Sequence, residues 1–330
     1  MKCRIAIWLA LCVLLLAGCA KENTDPPAVT VEPAPAAEPA PAKQEAATPD
    51  AAKPDADESA LISAFHDVKI SIPKEYLELL RIDTELETWS AHWTPLVSFF
   101  HQASMEAYAQ DYPDEAFDES GVGWLATVLQ LDRIGFEDWL SGEKSGTTLF
   151  ATDGADRYYL LMQPTDVRVY QPDAAWEVLT SWVYGLPEEI IAQNGFTAYD
   201  AHELFDADYT YGGEHVELGY RFPGEPMDLV LLALSQPAKQ GEGGVWCVER
   251  VRYVYSDYDF TDTHLVFPAA LGIEETAADY YARLQGECDA LEHPELLTPR
   301  GAAVSYARSA AWLFGEDVSS TDFELVESLG

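Results

Sequence analysis

The residues able to do chemistry in this chain are few in kind and widely spaced. Seven histidines, His66, His92, His101, His202, His215, His264 and His293, are dispersed, with no H-E-x-x-H or other metal-binding spacing. Each reads as a packed or surface residue unless the fold joins it to a serine and an acid. Ser141 and Lys144 stand in S-x-x-K spacing, which puts a nucleophile beside a base when the serine opens a helix. Here the segment reads as a turn, and the overlapping Lys144-Ser145-Gly146 cannot act as a separate motif on another strand. Asp206, Asp208, Thr210 and Glu217 fall at positions 1, 3, 5 and 12 of a calcium loop, but Tyr211 takes the sharp-turn position that such a loop gives to glycine. A second acidic loop, residues 257–262 (DYDFTD), has similar spacing. In a chain with 57 acids such spacings arise by chance. The expectation is weak, nonspecific binding of divalent cations, no dedicated metal site and no cofactor. Gly121-Val122-Gly123 lacks the preceding strand that a phosphate loop needs.

Cysteine usage is more informative. Of the five cysteines, Cys3 and Cys12 lie in an N-terminal apolar segment and Cys19 just after it, which leaves Cys247 and Cys288 for the fold. In an exported protein these two can form a disulfide, Cys247 from a strand and Cys288 from a helix packed on it. Closing that loop would stabilise the fold by roughly 4 kcal/mol on the chain-entropy account. The alternative is a pair of buried thiols. Two cysteines with no neighbouring histidine do not complete a metal site.

The most specific signal is Leu16-Ala17-Gly18-Cys19. Lys2 and Arg4 precede the apolar run 5–16, which is too short to span a bilayer as a mature helix and the right size for a signal-peptide core. The small residues leading into Cys19 resemble a bacterial lipoprotein signal. That resemblance implies removal of residues 1–18, diacylation of Cys19 and attachment to the extracytoplasmic face of the cell membrane through the lipid. Two acyl chains, at about 0.8 kcal/mol per buried methylene, anchor a protein without help from basic residues. Such help is absent here: removing Lys2 and Arg4 from 19 basic residues leaves 17 against 57 acids, a net charge of −40. Nucleic acid and anionic lipid surfaces both call for clustered Lys and Arg, so neither is an expected partner.

Residues 19–58 carry the lipidated Cys19 and then a tether with eight prolines, many alanines and no aromatic residue. Such a segment cannot bury enough apolar surface to offset its ordering entropy and is expected to be disordered. It would reach about 120 Å fully extended and roughly 35 Å as a flexible coil.

Beyond the tether, helices and strands follow one another without strict alternation. This predicts an α+β fold, antiparallel sheets with helices packed against them, in two domains, 59–195 and 196–330. In the first, strands are expected at 68–72, 124–131, 147–152, 157–163 and around Val167 and Val169. Helices are expected at 74–80, from a Thr94-Pro95 cap through Tyr108, and at 136–140, 174–184 and 187–193. In the second, strands are expected at 216–222, 227–235, 245–255 and 323–326, with helices at 279–291 and 301–314, the last opened by Thr298-Pro299.

Residues 159–170 (YLLMQPTDVRVY) and 232–250 (LALSQPAKQGEGGVWCVER) resemble segments of uncharacterised secreted lipoproteins of clostridia-like bacteria. The resemblance extends over most of residues 60–330. It implies the same address and brings no activity with it.

Two features bear on partners. Tyr253, Tyr255, Tyr258 and Phe260 crowd one strand and its exit; exposed, they would stack on sugar rings, and buried, they are core, the expected outcome. Arg250 and Arg252 share one strand face and are expected to form internal ion pairs. Together these readings describe a lipid-anchored extracytoplasmic binding or interaction module for a cell-envelope protein or glycan. The alternative is a cell-envelope hydrolase whose residues assemble only in space.

Overall fold

The computed structural model describes residues 61–88, 90–113, 121–142, 144–205, 209–222, 228–255, 260–315 and 317–326. Cys19 and the expected tether therefore lie outside the described residues. Among those described, no helix is long and apolar enough to cross a membrane. The described residues all belong to one compact unit.

The fold is α+β, with three antiparallel sheets. A hairpin of β1 (Leu61–Phe65) and β2 (Val68–Ile72) turns at His66 and Asp67, both at positive φ. The first large sheet comprises β3 (Leu80–Asp83), β4 (Trp93–His101), β5 (Trp124–Leu131), β6 (Thr147–Thr152), β7 (Tyr158–Met162) and β8 (Thr197–Ala198), in the order β3-β4-β5-β7-β6-β8. Helices α1 (Gln102–Asp111), α2 (Arg133–Ser141) and α3 (Ala174–Asn194) accompany it. The second has the order β12-β11-β10-β9-β13, from β9 (His215–Arg221), β10 (Leu229–Ser235), β11 (Cys247–Tyr255), β12 (Phe260–Leu265) and β13 (Glu324–Leu325). It carries α4 (Ala277–Asp289), α5 (Pro299–Ser309) and the single turn α6 (Ala311–Phe314). Sheet membership changes between Ala198 and His215, a few residues past Gly195.

Several sequence expectations change in the folded chain. The helix expected from Thr94 to Tyr108 is strand β4 followed by α1. Trp93, Thr94, Val97, Phe99 and Phe100 favour a pleated surface, and Leu96 to Phe99 are all buried, so the segment shows no two-residue alternation. Pro95 is accommodated at a register shift between Pro95 and Val97. The two helices expected at 174–184 and 187–193 are one, with Pro187 inside it. Leu179, Trp182, Val183, Leu186 and Ile190 form one buried stripe through the proline, and burying that stripe outweighs the single helical bond that Pro187 removes. Asp173 caps this helix and Gly195 ends it at φ +66°. No strand forms at 167–169, because both edges of the preceding β7 are taken by β5 and β6. The helix expected at 74–80 shrinks to a 3-10 turn, Lys74–Tyr76, ahead of β3.

Three apolar clusters result. One lies between α3 and the first sheet, and one between α5 and the second. The third mixes residues of both sequence halves: Leu129, Phe136, Trp139 and Leu160 with Val245, Cys247, Phe267 and Tyr281.

Candidate functional site

Helix α5 separates two clefts. Its placement is set by its ends and its small residues. Thr298 accepts the N–H of Gly301 at 3.1 Å, and Pro299 occupies the first turn, where a missing N–H costs nothing. A Cβ on Gly301 would sit 2.0 Å from the carbonyl oxygen of Glu295, so only glycine lets the helix start this close to the turn Pro294–Leu297. Ala302, Ala303 and Ala307 then bury against Leu218, Leu232 and Val251 of the sheet. That leaves Arg300, Ser305 and Arg308 facing out.

Those three line a groove of about 1220 Å³, with Val216 and Leu218 of β9, Leu325 of β13, Glu295 and the serines 319 and 320 as its other walls. Strand β13 pairs with β9 only at Leu218 and Gly219, so no described strand covers His215 to Glu217 beside the groove. The charge arrangement is unusual for this chain. Arg81, Arg133, Arg157, Arg168, Arg250, Arg252 and Arg283 each hold a carboxylate. Arg221, Arg300 and Arg308 hold none among the described residues, and the last two share this groove, in a protein of net charge −38. Ser319 is committed to Asp322, at 2.9 Å, whereas the hydroxyls of Ser305 and Ser320 hold no hydrogen bond among the described residues.

On the other flank of α5 lies a smaller cleft of about 390 Å³, mostly apolar, walled by Trp246, Phe267, Tyr280 and Tyr306, with Cys247 at its floor and Ser305 again at its edge. Burial pushes the Tyr280 and Tyr306 hydroxyls above their ordinary range. The strand-exit aromatics do not contribute to this cleft. Tyr253 and Tyr255 are half-buried, Phe260 is exposed, and Tyr258 lies outside the described residues.

A serine, a histidine and an aspartate do come together elsewhere. Ser104 Oγ lies 2.9 Å from His101 Nδ1, and His101 Nε2 lies 3.3 Å from Asp173 Oδ1. The residue types are those of a hydrolase triad, but the ring is reversed, since such triads set the serine at Nε2 and the acid at Nδ1. The group is also committed to holding the fold together. Ser104 Oγ donates to Tyr170 O at 3.0 Å and accepts from Tyr170 N–H at 3.1 Å, and the same Asp173 oxygen caps α3 through Ala175 and Trp176. Ser104 and His101 are buried, 0% and 1% exposed, and none of the larger clefts reaches them. Burial pulls the imidazole below its usual range, against the pull of Asp173. Nothing in the sequence signals this trio, because Asp173 stands far along the chain on another element.

The expected site residues fall as follows. Asp206 and Asp208 lie outside the described residues. Thr210 is buried and donates to Gly213 O, and Glu217 Oε1 is held by Arg250 at 3.2 Å and by Arg252. These are the internal pairs expected for the two arginines, and Ala233 of β10, directly between Glu217 and Arg250 in register, is small enough for the contact to cross it. No group of three or more His, Cys, Asp or Glu able to hold a metal occurs among the described residues. Cys247 and Cys288 are free, buried thiols of one apolar cluster, and Cys288 Sγ donates to His293 O at 3.1 Å. Burial pushes the Cys247 thiol well above its ordinary range.

Ser141 and Lys144 both serve to end α2. Ser141 Oγ donates to Glu137 O and accepts from Phe267 N–H, while Lys144 Nζ donates to Leu140 O at 2.8 Å and lies 4.7 Å from the Phe205 ring centre. Burial pulls the Lys144 ammonium down to about 8.

No family model, no curated protein and no solved structure matches the chain.

Proposed function

We propose that the chain is a lipid-anchored extracytoplasmic binding module, attached through Cys19 and reaching its partner, a protein or glycan of the cell envelope, with the surface around α5. The observation that carries this reading is the groove itself. It brings two arginines without carboxylate partners among the described residues to one concave surface, on a chain where Arg81, Arg133, Arg157, Arg168, Arg250, Arg252 and Arg283 are paired. Large concave surfaces with a few convergent polar groups are where proteins bind ligands. The lipoprotein-like signal ending at Cys19 and the aromatic-free tether support the address.

The anchor is tested by Cys19→Ala, which should abolish palmitate labelling and leave the precursor unprocessed; continued labelling would sink the assignment. The binding surface is tested by a photo-crosslinking residue at Ser305 in the full chain on its native membrane. An envelope adduct should form and should disappear with Arg300→Glu/Arg308→Glu. If adducts arise as readily from a probe placed at Val178 on α3, the groove is not the binding surface.

A further inference from the structure

We propose that the groove along α5 takes a ligand carrying at least two phosphate groups, one seated at Arg300 and the other at Arg308. This deepens the binding-module reading and rests on it. The two arginines are eight residues apart, about 12 Å along the axis at ~1.5 Å per residue, and about 80° apart around it at ~3.6 residues per turn, so both can lie over one groove. Both line it, and neither is neutralised by an ion pair among the described residues.

The donor set decides the class of anion. A guanidinium presents two parallel N–H groups to an oxyanion, and the free hydroxyls of Ser305 and Ser320 add donors that a hydroxyl-poor wall would lack. A phosphate with three or four acceptor oxygens can use that many donors, whereas a carboxylate has only two oxygens. The first turn of α5, with Arg300 itself as its second residue, adds the positive end of a helix dipole at one end of the groove.

Among the described residues Glu295 is the one acidic side chain in the lining, and its Oε1 faces His293 Nδ1 at 3.5 Å. The rest of the surface supplies the discrimination. With a net charge of −38 the chain repels polyanions generally, so a phosphate-bearing ligand is held only where the arginines reach it.

The test is a binding titration of the detergent-solubilised full chain with linear polyphosphate, pyrophosphate and polyglutamate. Polyphosphate should bind. Pyrophosphate, whose two phosphates lie far closer together than the backbone positions of the two arginines, about 12 Å apart along the axis at ~1.5 Å per residue, should bind at least tenfold more weakly, and polyglutamate of equal charge at least fivefold more weakly than polyphosphate. Arg300→Gln and Arg308→Gln should each weaken polyphosphate binding about tenfold, with an unchanged melting temperature showing that each variant is folded. Vesicles containing anionic phospholipid, offered to the same protein, separate a lipid headgroup from a soluble phosphate as the source.

Equal affinity for pyrophosphate would overturn the two-point arrangement, and equal affinity for polyglutamate would overturn the choice of phosphate. Absence of polyphosphate binding, with Ser305 crosslinking intact, would overturn this inference and leave the binding-module reading standing. Loss of both would remove the groove as a site.

Discussion

Glu137, on α2 beside the first sheet, accepts the N–H of Ala277, the first residue of α4 beside the second, at 2.7 Å across 140 positions of sequence. Its other oxygen accepts from Arg133 at 2.7 Å, so a fully buried carboxylate is satisfied from both halves of the chain. The mixed apolar cluster surrounds it.

This joint core predicts how the protein comes apart. Limited proteolysis should cut first within residues 20–58, where few apolar groups offer protection, and leave a core of about 270 residues that melts in one transition. Two separately stable fragments after cleavage in the 199–214 connection would instead establish two independent domains.

Glu249 gives a pH signature. Its carboxylate is buried, with Ser235 at 2.5 Å and Gly212 N–H at 2.9 Å on one oxygen, and burial raises it above its usual 4.5 despite those bonds. The folded state therefore keeps a proton that the unfolded chain has already released. By linkage this contribution to stability is full at low pH and is lost as pH rises from about 4.5 through the folded value. Glu249→Gln should remove it. Melting temperatures measured from about pH 5 to about pH 8 should show the variant gaining on the parent as pH rises. Parallel curves would show that Glu249 is not protonated in the fold.

Gly301 is a steric test of the groove. Gly301→Ala places a methyl 2.0 Å from the Glu295 carbonyl, and the helix start must shift. A loss of about 1–3 kcal/mol is expected from overpacking, read by denaturant unfolding, with polyphosphate binding weakened in parallel. Unchanged stability would mean that the turn before α5 yields freely.

The buried trio bears on the hydrolase alternative. A fluorophosphonate probe should leave the folded protein unlabelled, because Ser104 Oγ already has three partners for one hydrogen and two lone pairs and lies beneath the surface. Labelling of Ser104 would mean that the segment around Tyr170 opens and that the trio can act as a nucleophilic centre.

The sequence was legible where local chemistry decides structure. The strands at 147–152 and 157–163, the Thr298-Pro299 helix start and the short last strand appear close to where they are expected. It misled where burial overrides periodicity. Leu96, Phe99, Phe100 and Ala103 match a helical repeat, yet the first three belong to a strand whose buried run hides its alternation. The groove was only half visible. The start of α5 could be read, but the lack of carboxylate partners for Arg300 and Arg308 is a relation to every acid in the fold and has no local signature. The same holds for Ser104, His101 and Asp173.

Because Ser305 borders both clefts, α5 is a party wall. A ligand that presses the helix toward the aromatic side narrows the cleft of Trp246 and Tyr306 as it widens the groove of the arginines. Occupancy on one side must then weaken occupancy on the other by the same factor in both directions, as any thermodynamic cycle requires. Titrating phosphate with and without an apolar dye in the aromatic cleft measures that factor, and a value of one would mean that the wall does not move.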